Sequence, residues 1–181
     1  EYFPSVMTTW DEWKTRFPDT VALVKGFPGS RDPYDSYYAS GQPGVIGEKH
    51  QDDRLPTKQF VVGVALEDEA VAYPFSVLSL EPVVNDLVGE APVLVVFGQD
   101  NIATAVFDRK VGDQILTFSL SNPEALTLTD AETGSTWDGL AGTATAGPLA
   151  GERLTQLKST NSFWFGWKDF YPDTRVYGTD G

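Results

Sequence analysis

The sequence predicts a β-rich α+β fold: a meander of short antiparallel hairpins with short aromatic helices at its periphery. Three observations predict it. From Gln59 onward, runs rich in Val, Ile, Thr and aromatics alternate with brief polar turns carrying Gly, Asp and Glu, the pattern of successive hairpins. One aromatic phrase occurs twice, as WDEWKTRFPDT from Trp10 and as WFGWKDFYPDT from Trp164. Between the first phrase and the first strand, residues 26–58 are dense in Gly, Pro, Asp, Ser and Tyr with no usable period.

The first phrase reads as a short helix. Thr9 followed by Glu12 matches a capping box, and Pro18 ends the helix two turns later. Trp10, Trp13 and Phe17 share one face, which reads as core packing, with a sugar-binding platform as the sharper alternative. A β-like run, VALVK, follows Pro18-Asp19-Thr20. Residues 26–58 then read as an inter-unit linker or an arm along a surface, since so long a connection is uncommon inside one domain. Tyr34, Tyr37 and Tyr38 are placed to pin it.

Four hairpins follow. QFVVGVAL and AVAYPF flank Glu67-Asp68-Glu69; PVVNDLV and APVLVVFG flank Gly89-Glu90. TAVFDRKV and QILTFSL flank Gly112-Asp113; ALTLTD and STWDGL flank Glu132-Thr133-Gly134. TATAGPLAGERLTQL reads as a further pair of strands around Gly-Pro. The closing helix carries Trp164, Trp167 and Tyr171 on one face, with Phe163, Phe165 and Phe170 on others, which predicts burial on two sides. RVYG reads as a last short strand.

The two phrases agree at both Trp positions, at the Lys after the second Trp, and throughout Pro-Asp-Thr. Convergence of two unrelated amphipathic helices is a poor account of that. The pattern predicts one unit of a two-repeat protein: residues 59–181 form a unit, and residues 1–25 are the terminal helix and strand of a preceding one. The opening EYFPSVMTTW lacks an initiator Met, a basic segment and an apolar segment, so the start at Glu1 reads as that of a processed, truncated or partial chain.

Bulk composition narrows the function. The chain has 181 residues, is 41% hydrophobic and 13% aromatic, and carries a net charge of −13 from 26 acidic and 13 basic residues. That composition supports a real core and makes nucleic acid an improbable partner, because phosphate binding needs clustered Lys and Arg. There is no Cys, which removes disulfides, thiolate nucleophiles and cysteine-held clusters. No apolar run reaches the length of a membrane-spanning helix.

RDPY, DDRLPTK, VAYPFSVLS, VVND, VFDR, ETGSTW, AGPLAGERL and FWFGWKDFYPDT occur in an order that resembles the DUF3179 family, uncharacterised and mostly exported proteins with two related halves. The chain resembles the end of the first half followed by the whole second half. In the family's first half a His precedes the Val-Asn-Asp segment and a Cys-Pro-x-Cys stretch precedes the Phe-Asp-Arg segment. Here Leu80-Glu81-Pro82 precedes Val83-Val84-Asn85-Asp86, and Gly98 and Asn101 stand where the cysteines would be. The resemblance therefore implies fold and export, not an activity.

Few residues are left to carry chemistry. The single histidine, His50, lies in the arm beside Gln51, Asp52 and Asp53, and reads as solvated. It leaves Ser-His-Asp schemes and His-rich metal sites without material. The acidic clusters Glu67-Asp68-Glu69 and Asp130-Ala131-Glu132 sit where turns belong. Asn85-Asp86 interrupts an apolar run, where a polar pair is costly unless hydrogen-bonded; it reads as a bulge or inter-strand tie, or as the remnant of a pocket. Asp108-Arg109 reads as an ion pair or strand-end contact, or as a substrate clamp.

No catalytic residue, metal ligand or cofactor is assigned. The leading expectation is a non-catalytic structural half of an exported two-repeat protein. It would pack on a sister half or another subunit through Trp10, Trp13, Phe17, Tyr34, Tyr37, Tyr38, Trp164 and Trp167. The alternatives are a ligand-binding or enzymatic domain with a polar site around Asn85, Asp86, Asp108 and Arg109, and an acidic subunit of a larger envelope complex.

Overall fold

Residues 4–23, 35–44, 47–98 and 102–179 are described by the computed structural model. Strands β1 (Phe60–Leu66) and β2 (Glu69–Pro74) form the first predicted hairpin, with Val64 opposite Val71. The next hairpin is β3 (Val83–Val88) and β4 (Ala91–Phe97), turning at Gly89, whose φ of 60° suits glycine. β5 (Thr104–Asp108) adds to β4 and completes a three-stranded sheet.

The third predicted hairpin divides between sheets. Only β6 (Lys110–Val111) and β7 (Gln114–Ile115) pair across Gly112-Asp113, while β8 (Phe118–Asn122) joins β9 (Thr127–Asp130), β10 (Thr136–Asp138) and β11 (Thr143–Ala146) in another sheet. Beyond β11, the rest of the TATAGPLAGERLTQL stretch yields isolated bridges, Arg153 to Thr143 and Gln156 to Phe107, in place of a second regular strand.

Strand β12 (Thr160–Phe163), which the sequence reading missed, pairs with β1. β13 (Arg175–Val176) lies parallel to β2, so one sheet runs β12-β1-β2-β13.

Among the described residues, four short helices decorate these sheets: α1 (Trp10–Arg16), α2 (Asp35–Ala39), α3 (Phe75–Leu78) and α4 (Trp164–Phe170). α3 begins at Phe75, where a strand was expected to continue. α2 lies in the arm, where no helix was expected. Its Tyr37 and Tyr38 rings lie 6.3 and 6.4 Å from Phe163, and the Lys58 ammonium sits 3.7 Å from the Tyr37 ring centre. Tyr34 lies outside the described residues.

The alternation of side chains stacks these pieces in layers. Val93, Val95, Phe97 and Val106 face Val62, Val64, Val71 and Tyr73 of the first sheet. Leu94, Val96, Ala105 and Phe107 face Phe118, Leu128, Trp137 and Ala144 of the β8–β11 sheet. The three-stranded sheet is thus the middle layer, which is why β4 is apolar on both faces. On the outer face of the first sheet, Val61, Ala72 and Val176 receive Trp164 and Trp167 of α4.

Gly63 opens the space for that contact. A Cβ there would stand 2.2 Å from Cε3 of Trp167. Burial of α4 leaves one aromatic out, however: Trp164, Trp167 and Lys168 are buried, whereas Phe170 is exposed, against the expectation that its side too is covered.

Candidate functional site

Two places merit description: the polar residues of β3 and β5 with their neighbours, and the surface of α1. Asn85 and Asp86 point to opposite faces of β3, as successive strand residues must. Asn85 Nδ2 donates to the Phe118 carbonyl and Asn85 Oδ1 accepts from Phe118 N–H, each over 2.8 Å. One side chain thus replaces a pair of ladder hydrogen bonds and ties the middle sheet to the β8–β11 sheet.

Asp86, on the other face, accepts at Oδ2 from Tyr73 Oη over 2.8 Å and from Arg175 Nη2 over 2.7 Å, and at Oδ1 from Leu87 N–H. Its carbonyl accepts from Arg109 Nη2 over 3.3 Å, and Arg109 Nη1 donates to the Leu116 carbonyl over 2.8 Å. Burial weakens the proton affinity of the Arg109 guanidinium, with Glu132, Asp86 and Asp108 acting in the opposite direction. Asp108 Oδ1 accepts from Lys110 N–H.

The structure therefore brings Asp86 and Arg109 together through a backbone carbonyl. It joins them with Tyr73 and Arg175, which sequence reasoning did not single out. A tyrosine inside the apolar run AVAYPF was the only available signal.

Two phenols complete this region. Tyr177 packs on Tyr73 with the rings tilted and their centres 5.4 Å apart, and donates to Glu81 Oε1 over 3.0 Å. Burial and the Glu81 carboxylate push the Tyr177 phenol up to about 12, and burial with Asp86 raises Tyr73 further. Both hydroxyls are hydrogen-bond donors at neutral pH, so neither offers a phenolate nucleophile.

His50 contributes its backbone N–H to Asp169, over 3.0 Å. Among the described residues no group of three or more His, Cys, Asp or Glu side chains is placed to hold a metal ion, and no helix is long and apolar enough to cross a membrane.

The surface of α1 differs in kind. Thr9 Oγ1 accepts from Glu12 N–H, Thr8 Oγ1 donates to Glu12 Oε2, and Arg16 bridges Glu12 and Asp138, the latter over 2.6 Å. Met7 pairs with Thr104, and Val6 packs on the core. These contacts fasten the segment by its polar side. α1 itself buries no residue, against the expectation that its aromatic stripe is core. Trp10 is 49% exposed and Phe17 51%, beside an open depression of about 430 Å³ lined by Val6, Met7, Thr8, Thr9, Trp10 and Trp13. Val21 and Leu23 are 91% and 86% exposed and form no strand, unlike the predicted run VALVK.

The second copy of the phrase is spent inside the chain. Trp164 and Trp167 are 0% and 5% exposed. Trp164 Nε1 donates to the Asp52 carbonyl over 3.1 Å, and the Arg54 guanidinium lies 5.3 Å from its ring centre. Arg54 also pairs with Asp52 and donates to the Thr174 carbonyl over 2.7 Å. Lys168, 2% exposed, pairs with Glu48 over 3.0 Å, while Asp169 accepts from the backbone N–H groups of Lys49 and His50. Residues 48–55 thus wrap α4 from outside while the sheet receives it from within.

Internally the two phrases are alike. Trp13 Nε1 donates to Thr20 Oγ1 and Trp167 Nε1 to Thr174 Oγ1, both over 3.0 Å. Trp13 and Phe17 have ring centres 4.5 Å apart; Trp167 and Tyr171, 4.3 Å. Both helices end at φ −130°, with ψ of 74° at Phe17 and 72° at Tyr171.

Comparison with known proteins gives one family. The profile described as "Protein of unknown function (DUF3179)" matches residues 1–174. No curated protein and no solved structure matches the chain.

Proposed function

The chain belongs to the DUF3179 family of proteins of unknown function, and from that premise we propose that it is a non-catalytic structural unit that associates with another protein unit through α1. One observation carries this reading: α1 buries none of its residues, whereas the same phrase at α4 buries both tryptophans. Exposed Trp10 and Phe17, followed within six residues by exposed Val21 and Leu23, are the kind of apolar surface that marks an interaction site. The polar group around Asn85, Asp86, Asp108 and Arg109 supports the same reading, because its hydrogen bonds tie strands and sheets of the chain itself. Membership of a two-repeat protein and residence outside the cytoplasm belong to this proposal; the duplicated phrase supports the first and the family resemblance the second.

The test is the behaviour of the purified chain in solution. The parent should associate with rising concentration in light scattering, or bind a hydrophobic dye. The Trp10→Ser/Phe17→Ser variant should do neither while unfolding at the same temperature. A parent that stays monodisperse and binds no dye would remove the basis for an α1 interface.

A further inference from the structure

We infer that residues 10–23 dock as one piece, helix plus parallel edge strand, onto a sheet built like β12-β1-β2-β13 in a sister unit of the same fold. This rests on the reading of α1 as an interaction face and adds what the face is shaped to meet.

The template is α4. There the phrase makes four kinds of contact: a Trp ring entering the gap at Gly63, a Trp Nε1 donating to a carbonyl of the wrapping segment, a Lys paired with a carboxylate, and an acidic cap at Asp169. Trp13, Trp10 and Lys14 stand at the first three of these positions in α1; Thr15 departs at the fourth.

Beyond the helix the correspondence continues. Arg175 and Val176, directly after Pro-Asp-Thr, pair in parallel with Val71 and Ala72, and Tyr177 N–H donates to the Ala72 carbonyl over 2.9 Å. Val21, Ala22 and Leu23 hold the same places after the first Pro-Asp-Thr. They are as apolar as a buried strand, yet they stand exposed and form no strand among the described residues. A strand lacking its partner edge explains that, and addition to an open sheet edge is an established mode of recognition.

The occupant is therefore a sheet with a glycine gap in a central strand, an edge open to a parallel strand, and a wrapping segment offering a carbonyl and a carboxylate. A second folded copy of this chain does not qualify, because its own α4 and β13 already fill that surface.

The experiment writes the first phrase into the position of the second within the full chain. Phe165→Asp, Gly166→Glu, Phe170→Arg and Tyr171→Phe are made together, with Asp169 kept. If the two phrases fit one receiver, the variant folds with Tm within about 5 °C of the parent, and amide exchange stays slow across residues 160–177. Because Phe165 stacks on Phe163, a companion variant retains Phe165 and carries the other three changes. Fast exchange across residues 160–177 in the companion, or a Tm loss above about 10 °C, would overturn the shared-receiver inference. The association test on Trp10 and Phe17 reads the α1 interface separately, so the interface can stand while the receiver assignment falls.

Discussion

Gly63 has no side chain where Trp167 lands: an added Cβ would lie 2.2 Å from the indole. The neighbour is a rigid ring held by its own hydrogen bond to Thr174, so it cannot swing aside. Gly63→Ala should destabilise the chain by about 3 kcal/mol, at the upper end of overpacking costs. Urea unfolding measures it. The loss should be non-additive with Trp167→Leu, since both changes act on one contact.

Asn85 makes a different kind of claim. Asn85→Leu leaves the N–H and carbonyl of Phe118 without their partner inside a sheet interface, which should cost about 3 kcal/mol. If the role of Asn85 were to hold a ligand, the free protein would lose no stability. Equal urea midpoints for parent and variant would sink the inter-sheet tie.

The two phrases allow a paired comparison. Trp167→Ala removes a buried ring and should cost about 3–5 kcal/mol. Trp13→Ala, the same residue type in the same local motif, loses far less in the isolated chain because its helix is unburied. Thermal unfolding of both variants decides it; equal losses would mean that α1 is as deeply packed as α4.

Acid stability should depend on Asp130. Burial works against its ionised form, but hydrogen bonds from Trp137 Nε1, Thr133 and Ser135 outweigh burial and hold the carboxyl below its ordinary value. A lowered folded pKa means the contribution is complete above the unfolded value near 3.9 and is lost as pH falls through the folded one. Asp130→Asn should therefore flatten the acid limb of urea midpoints below about pH 4. Asp52, Glu132 and Asp169 are shifted the same way and keep a residual slope.

Much of the fold was legible because turn chemistry is local. Gly89 and Gly134 sit in turns at positive φ, and the strands on either side follow. Thr9 caps α1 as its spacing with Glu12 implied. What sequence could not show depends on distant partners. β12 reads as polar coil until β1 pairs with it, and VALVK reads as strand although its described part, Val21–Leu23, forms no strand among the described residues. Asn85-Asp86 could be recognised as needing partners, but not that Phe118, Tyr73 and Arg175 supply them. The aromatic spacing of the two phrases is the same, so spacing alone could not tell the buried helix from the bare one.

Both edges of the first sheet come from residues far along the chain from its centre, since β12 and β13 flank the β1-β2 hairpin. As the chain is synthesised, that hairpin must wait for residues 160–176 before either side is closed. Pairings so remote in sequence slow folding, and unclosed strand edges invite association with other chains in the meantime. The late arrival of residues 160–176 is therefore a kinetic bottleneck, and deleting them should cause misassembly out of proportion to the residues removed.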